Sequence, residues 1–261
     1  MNQQKVEPVD AAASITNAPM IEVSSLSVGR KLYIAFFKRF FDIILSALAL
    51  IVLSPVLIVI AFMVRLKLGS PVIFKQVRPG KKDKNGREKL FILYKFRSMT
   101  DEKDEYGNLL PDEVRLTRFG QKLRDTSLDE LPELWNILKG DMSIIGPRPL
   151  LVRDMVFMTD EQRKRHNIKP GLSGWAQVNG RNCIEWEEKL DYDLAYLGEM
   201  GLCFDTRVVL ITFKKVMKTE SITYEGMATA EDFGDYLLRT GKVKQDRYDT
   251  LQAEALKLIG R

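Results

Sequence analysis

The sequence has one histidine, His166, and only two cysteines, Cys183 and Cys203, in 261 residues. A single histidine excludes His-rich zinc sites, and it leaves Ser-His-Asp chemistry open only if His166 itself serves. His166 sits in the basic run Arg163–His166 and reads as a solvated surface residue. Two cysteines are too few for a disulfide framework, so a reducing compartment is the simpler setting and both thiols read as packing residues. A secretory signal is also missing from the opening residues. Met1 to Arg30 is rich in Ala, Ser, Asn and Val without a sustained period, and is expected to be a mobile arm. Charge excludes little: a net +5 suits lipid headgroups, nucleotides or nucleic acid alike.

What the chain does have is a dense stretch from Arg124 to Leu150, RDTSLDELPELWNILKGDMSIIGPRPL, with adjacent carboxylates Asp129 and Glu130 between Arg124 and Arg148. Ser127 to Glu130 reads as a capping box, and Pro132 suits only a first turn, so a helix is predicted to begin here. Leu134, Trp135, Ile137 and Leu138 continue at helical spacing to Gly140, a C′ stop. A helix N-terminus flanked by arginines is suited to an anion such as a phosphate ester. The acidic pair could equally be no more than a cap. GPRP, Gly146 to Pro149, reads as a rigid turn presenting Arg148.

Ile43 to Val64 contains 22 residues without a charge, long enough as a straight helix to cross about 30 Å of hydrocarbon. Ser54-Pro55 breaks it in the middle, and cations flank both ends: Lys31, Lys38 and Arg39 before, Arg65, Lys67 and Lys75 after. Matched flanks suit a hairpin with both ends on one side as well as a plain span, and the composition leaves the two even. Ser54 could bond a carbonyl one turn back, satisfying a group freed by the kink.

Further on, Val72–Gln76 and Lys89–Phe96 predict a β-hairpin around the charged RPGKKDKNGRE, with Lys95 and Arg97 on one strand face. Thr100 to Pro111 reads as an acidic surface loop whose carboxylates receive no role, and Glu113–Arg124 as a basic helix. Leu150–Met158 and Thr159–Arg165 read as short helices. KPGLSGWAQVNGRN reads as a loop able to bring Trp175, Gln177, Asn179 and Arg181 to a ligand, or as turns around a buried Trp. Trp186–Met200 reads as a helix and Asp205–Lys218 as an apolar and basic helix, interfacial or core. Two more helices are expected in the tail, over Thr229–Thr240 and Gln245–Ile259.

SLDELPELWNILKGDMSIIGPRPLL resembles the signature of the bacterial monotopic phosphoglycosyl transferases, a sugar-transferase family. KRFFD at Lys38, the run broken at Ser54-Pro55, VIFKQVRPG at Val72, KFRSM at Lys95 and RHNIKPGLSGWAQVNGRN at Arg165 match in the same order. The resemblance covers roughly Phe37 to Lys218. It implies a mainly helical α+β fold with a re-entrant membrane helix-break-helix, a cytoplasmic domain with a small β-hairpin, and interfacial amphipathic helices. The division expected is an arm over 1–36, the membrane element over 37–66, the catalytic domain over 67–225 and a helical extension over 226–261.

The activity implied is transfer of a sugar 1-phosphate from a UDP-sugar to polyprenyl phosphate with release of UMP, at the cytoplasmic face of the bacterial inner membrane. Membrane lipid is then a partner and nucleic acid is not. Matching positions make Asp129 the nucleophile and Glu130 a ligand of Mg²⁺, with a covalent phosphosugar on Asp129. Lys95, Arg124, Arg148, Gln177, Asn179 and Arg181 become candidates for phosphate or nucleotide binding. Two other readings remain: a metal-dependent glycosyltransferase that releases UDP, and a non-catalytic membrane-bound interaction protein in which the acidic pair only caps. The sugar, the glycan pathway, the oligomeric state and the role of the tail are not legible.

Overall fold

A computed structural model describes residues 28–180, 184–218 and 231–260. The chain enters through α1 (Val28–Leu32), a π-helical segment (Tyr33–Phe37) and α2 (Lys38–Val52), and leaves the apolar run through α3 (Ser54–Lys67). No single helix among the described residues is long and apolar enough to cross a membrane. Val28–Val52 and Ser54–Lys67 pass that test only together, and they are bent by 63°. Proline explains the break, since Pro55 falls in the first turn of α3, where its missing N–H costs nothing. Ser54 Oγ donates to Ile51 O at 2.7 Å, the back-bond expected of it. Phe36, Phe40, Ile44, Leu48, Ile51, Ile58, Val59, Phe62 and Leu66 are exposed, so much of the apolar surface of this element is left without a protein partner.

Three residues at the start of α2 tie the element to the rest of the chain. Lys38 Nζ pairs with Asp205 at 2.5 Å. Arg39 donates to Ile137 O and Leu138 O at 2.6 and 2.8 Å. Asp42 is buried and accepts from Ser143 Oγ and Ile144 N.

The antiparallel hairpin β1 (Ile73–Lys82) and β2 (Glu88–Phe96) follows, pairing Ile73 with Phe96 and Phe74 with Lys95. Its first strand is longer than the sequence suggested and takes in Arg78 to Lys82. A two-stranded sheet has only edges, and the register shift between Pro79 and Lys82 accommodates the proline. The basic helix expected over Glu113–Arg124 is two helices, α4 (Asp112–Arg115) and α5 (Arg118–Asp125), because Thr117 is extended and caps α5 by accepting from Gly120 N at 3.0 Å.

The expected capping box is also absent. Ser127 is left-handed, with φ 55°, and makes no side-chain cap. Leu128–Glu130 forms a 3₁₀ turn, and α6 (Glu133–Lys139) begins only after Pro132. The Glu130 carboxylate is drawn away from the backbone by two cations, described below. At the other end Gly140, with φ 97°, is the predicted stop and donates to Asn136 O and Ile137 O.

Two short parallel strands that the sequence did not announce, β3 (Ser143–Ile145) and β4 (Gly171–Ser173), bracket GPRP. Between them lie α7 (Val152–Met155) and a 3₁₀ segment (Gln162–Asn167). His166 in that segment is buried, contrary to the surface role expected: its Nδ1 lies 3.3 Å from Glu88 Oε1, and Arg163 grips the same carboxylate through two hydrogen bonds. The loop expected at Trp175–Asn179 is a helical turn, α8, with Trp175 buried against Tyr192 and Phe204.

Then come α9 (Trp186–Glu199), α10 (Leu202–Lys218), α11 (Phe233–Arg239) and α12 (Gln245–Ile259). Val208 on α10 is buried in a core with Ile145, Trp175 and Tyr196, while Leu202, Val209, Leu210 and Phe213 are exposed. Cys203 is exposed and free, not the packing residue expected, and Cys183 lies outside the described residues. The tail helices add Phe233, Tyr236 and Leu251 to a core with Leu150, Phe157, Trp186 and Leu190.

Candidate active site

Three carboxylates meet where the end of β2, the 3₁₀ turn and the start of α6 converge. Strand alternation sends Lys95 to the same face as Phe91 and Leu93, which pack under α6. Its Nζ therefore arrives 2.8 Å from Glu130 Oε1 and 3.2 Å from Glu133 Oε1. From the opposite side Arg148 Nη2 donates to the same Glu130 oxygen at 2.5 Å. Asp129 is 7% exposed, and among the described residues its carboxylate has no hydrogen-bond or ion-pair partner.

This arrangement separates neighbouring carboxylates by environment. Burial pushes the Asp129 carboxyl up to about 6, although Lys95 pulls against it. Burial also pushes Glu133 up to about 7. Glu130 is buried too, but Arg148 and Lys95 outweigh the lost hydration and hold it well below the usual carboxylate range. In turn, Glu130 raises the already high affinity of Arg148 for its proton. Glu130 is thus a fixed charge, and Asp129 is a more basic carboxylate beside it.

Arg124 lies at the edge of this group. Its Nε donates to Ser98 Oγ at 3.0 Å, and its charge favours the ionised form of Asp129. Ser98 can take that position because Gly120 lets the backbones meet: a Cβ there would fall 1.7 Å from Ser98 O. Arg97 does not join Lys95. It lies just past β2, donates to Ser70 O and Met99 O, and pairs with Asp101.

The GPRP turn is held by its backbone. Gly146 N donates to Ser173 O and Gly171 N to Pro147 O, both at 2.9 Å. Arg165 Nη2 donates to Arg148 O at 2.6 Å and Arg78 Nη1 to Pro149 O at 3.1 Å. Arg165 is itself fully buried on Asp193, with Nε and Nη2 on one oxygen at 2.9 and 2.6 Å.

The sequence reading brought Lys95, Arg124, Asp129, Glu130 and Arg148 together, and the structure does so. Gln177 and Asn179 instead turn their amides inward, to Leu172 O at 3.1 Å and Trp175 O at 2.8 Å. Gln177 Oε1 is buried without a partner. Arg181 lies outside the described residues. Glu133, Arg165 and Arg78 were missed. Only Glu133 left a local signal, standing four residues after Asp129 and so on the same side of a helical turn.

A divalent cation suits part of this set. Both hydrogen bonds to Glu130 fall on Oε1, which leaves Oε2 as a hard oxygen ligand on the residue that follows Asp129. Among the described residues no three His, Cys, Asp or Glu side chains are arranged as a metal cage. Magnesium rarely needs one, since it binds through one or two carboxylates with substrate phosphates and water.

Comparison with known proteins matches residues 33–219 to the bacterial sugar transferase family. The chain is 48% identical over 196 residues to an uncharacterized sugar transferase, EpsL, of Bacillus subtilis (strain 168), covering 75% of this chain and 95% of that one. It is 36% identical over 219 residues to the UDP-glucose:undecaprenyl-phosphate glucose-1-phosphate transferase of Xanthomonas campestris pv. campestris. It is 40% identical over 188 residues to the Escherichia coli (strain K12) protein of the same name. It covers only 44% and 39% of those two longer relatives, against 79% and 68% of its own length. The matched span takes in the apolar helices, the acidic pair and GPRP, and on that ground the chain belongs to the bacterial sugar transferase family.

Proposed function

We propose that the protein transfers a sugar 1-phosphate from a UDP-sugar to a polyprenyl phosphate such as undecaprenyl phosphate, releasing UMP. The names of the longer relatives support the class of donor and acceptor. The observation that carries the chemistry is the contrast within the acidic pair: Glu130 neutralised by Lys95 and Arg148, Asp129 unpaired beside it.

In the first half-reaction an Asp129 oxygen attacks the phosphorus that bears the sugar. The bond from that phosphorus to the bridging oxygen breaks, and UMP leaves with the electron pair. In the second, an oxygen of the polyprenyl phosphate attacks the same phosphorus, the bond to Asp129 breaks, and the free carboxylate returns. A carboxylate needs no general base near neutral pH, which is consistent with a lone histidine committed to Glu88. Lys95, Arg148 and Arg124 offset the charge of the diphosphate against the attacking anion, and such positioning supplies most of the catalysis in phosphoryl transfer. Bound Mg²⁺, held through Glu130, would supply further charge neutralisation on the phosphate oxygens.

The setting is the cytoplasmic face of the bacterial inner membrane. The bent pair α2–α3 enters the lipid and returns, and the exposed apolar residues of α10 rest on the surface. The test is to incubate the enzyme with labelled UDP-sugar and no lipid acceptor, then digest it. Label on the Asp129 peptide with UMP in solution is expected. Undiminished labelling in Asp129→Asn, release of UDP, or UMP release that requires the acceptor would overturn the scheme.

A further inference from the structure

A group of cations lies toward the other end of the hairpin from the acidic pair. Lys81 and Lys82 of β1, Lys89 of β2 and Lys169 before β4 line a cavity of about 230 Å³, together with Asp83 and Asp141. Among the described residues none of the four lysines makes a side-chain hydrogen bond or an ion pair. Both acids are already engaged. Asp83 accepts from Asn85 N and Arg87 N in the hairpin turn, and Asp141 pairs with Lys139 at 3.0 Å. The cavity therefore sets four cations against two carboxylates, with Lys81 and Lys89 exposed and Lys82 and Lys169 partly buried. Lys169 is half-buried, and that burial, together with the nearby charges of Arg39 and Lys81, lowers its hold on its proton against the opposing pull of Asp42 and Asp141.

Position narrows the kind of anion. A Cβ on Gly140 would lie 3.1 Å from Arg39 Nη2 and 3.4 Å from Lys169 Nζ, so Arg39 stands at the edge of the cavity. Arg39 is also the second residue of α2, just before the apolar run begins. The cavity is thus placed where α2 would pass from water into lipid. Its volume holds a phosphodiester and a few waters at about 30 Å³ each. Along β2 the lining residues Phe91 and Lys89 are four and six residues from Lys95, roughly 13 and 20 Å at 3.3 Å per residue, and Gly140 is one α6 length, about 10 Å, from Glu133. A phosphate held here is out of reach of Asp129 and is not a reactant.

We propose that this cavity binds the phosphate of an anionic membrane-lipid headgroup, at a site separate from the catalytic carboxylates. It rests on the membrane reading given above. Bound there, the lipid would neutralise the lysines and lock the base of the hairpin to the bilayer, adding a charge-selective contact to the apolar one made by α2 and α3.

The test uses full-length protein and sedimentation with vesicles of phosphatidylcholine alone or mixed with phosphatidylglycerol. Wild type should bind both and prefer the anionic ones. The triple variant Lys81→Gln, Lys89→Gln, Lys169→Gln should bind neutral vesicles as well as wild type and lose its preference, roughly fivefold for each lysine. A charge-matched control, Lys103→Gln, Lys244→Gln, Lys257→Gln, changes exposed residues elsewhere and should keep most of it. Turnover in neutral detergent should be unchanged in both variants. In detergent, dioctanoyl-phosphatidylglycerol should raise the melting temperature of wild type but not of the triple variant, and inorganic phosphate should do so for neither. Equal loss in the control would reduce the effect to net charge. Equal stabilisation by inorganic phosphate would assign the cavity to a free anion, and slower turnover in the triple variant would refute its separation from the catalytic site. Failure of wild type to bind either vesicle would overturn the membrane reading and this site with it.

Discussion

The guanidinium of Arg165 donates to the backbone carbonyl of Arg148 at 2.6 Å while both of its nearer nitrogens rest on Asp193. A buried ion pair thereby holds the main chain of the residue whose own side chain reaches Glu130. Arg165→Lys keeps a charge for Asp193 but loses the planar fork that reaches both partners. Turnover should fall about tenfold or more with KM little changed, since Arg148 would still be present but less well aimed. Arg165→Met leaves Asp193 buried and unpaired and should cost about 3–5 kcal/mol of stability, read by denaturant unfolding.

Arg148→Lys is expected to behave as a severe change. The ammonium cannot serve Glu130 and a phosphate oxygen through one rigid fork. A fall in kcat of roughly 100-fold is expected, as for loss of one preorganised donor. Near-normal turnover would remove Arg148 from the site.

Asp129 gives opposite pH trends for activity and stability. As nucleophile it must be ionised, so kcat/KM should fall about tenfold per pH unit below about 6, the value to which burial raises this carboxyl. Stability runs the other way. Between its ordinary value and about 6 the folded chain holds a proton that the unfolded chain has released, so stability is greatest below that interval and declines as pH rises through it. Asp129→Asn should therefore be inactive yet more stable than wild type at pH 8, by on the order of 1–3 kcal/mol. A pH–rate profile and thermal melts at pH 5 and 8 check both halves.

Removing divalent cations with EDTA should stop UMP release, and Mg²⁺ should restore it. Glu130→Gln should shift the Mg²⁺ concentration for half-maximal activity upward by tenfold or more. An unchanged Mg²⁺ requirement in that variant would remove Glu130 as a ligand.

On the proposed re-entrant reading, the bend at Ser54 and Pro55 returns the chain to the face it entered. With Cys183 and the exposed Cys203 replaced by Ser, a single cysteine introduced at Ala13 should be protected from impermeant reagents applied outside intact cells. Labelling from outside would show that the helix pair spans the membrane. Pro55→Ala should straighten the pair and make part of the population accessible.

Which parts of the site were legible follows from how far each interaction reaches along the chain. Asp129, Glu130 and GPRP stand within 20 residues of one another, so their types and spacing were enough to bring them together. Lys95 came from strand alternation and from the resemblance. The role of Glu130 in capping was misread because local rules assume that an acidic side chain at a turn serves the backbone, whereas two cations from β2 and GPRP bind it more strongly. His166 was misread for the same reason: its partner Glu88 is 78 residues away, and RKRH alone looks solvated. Arg165 and Asp193, 28 residues apart with no periodic relation, carry no local signature at all.

Arg39 has one further consequence. Its guanidinium closes the C-terminal end of α6, and Glu133 stands at that helix's first residue. Seven residues of α-helix, about 10 Å, therefore separate the point where the apolar segment begins from the carboxylates that meet the substrate. A helix cannot be stretched, so on the proposed membrane reading α6 would act as a ruler, setting how far the reaction stands from the lipid and how far a long-chain phosphate must rise to be reached. Inserting one helical turn into α6 would increase that distance by about 5 Å and should discriminate against the lipid acceptor while sparing the soluble donor.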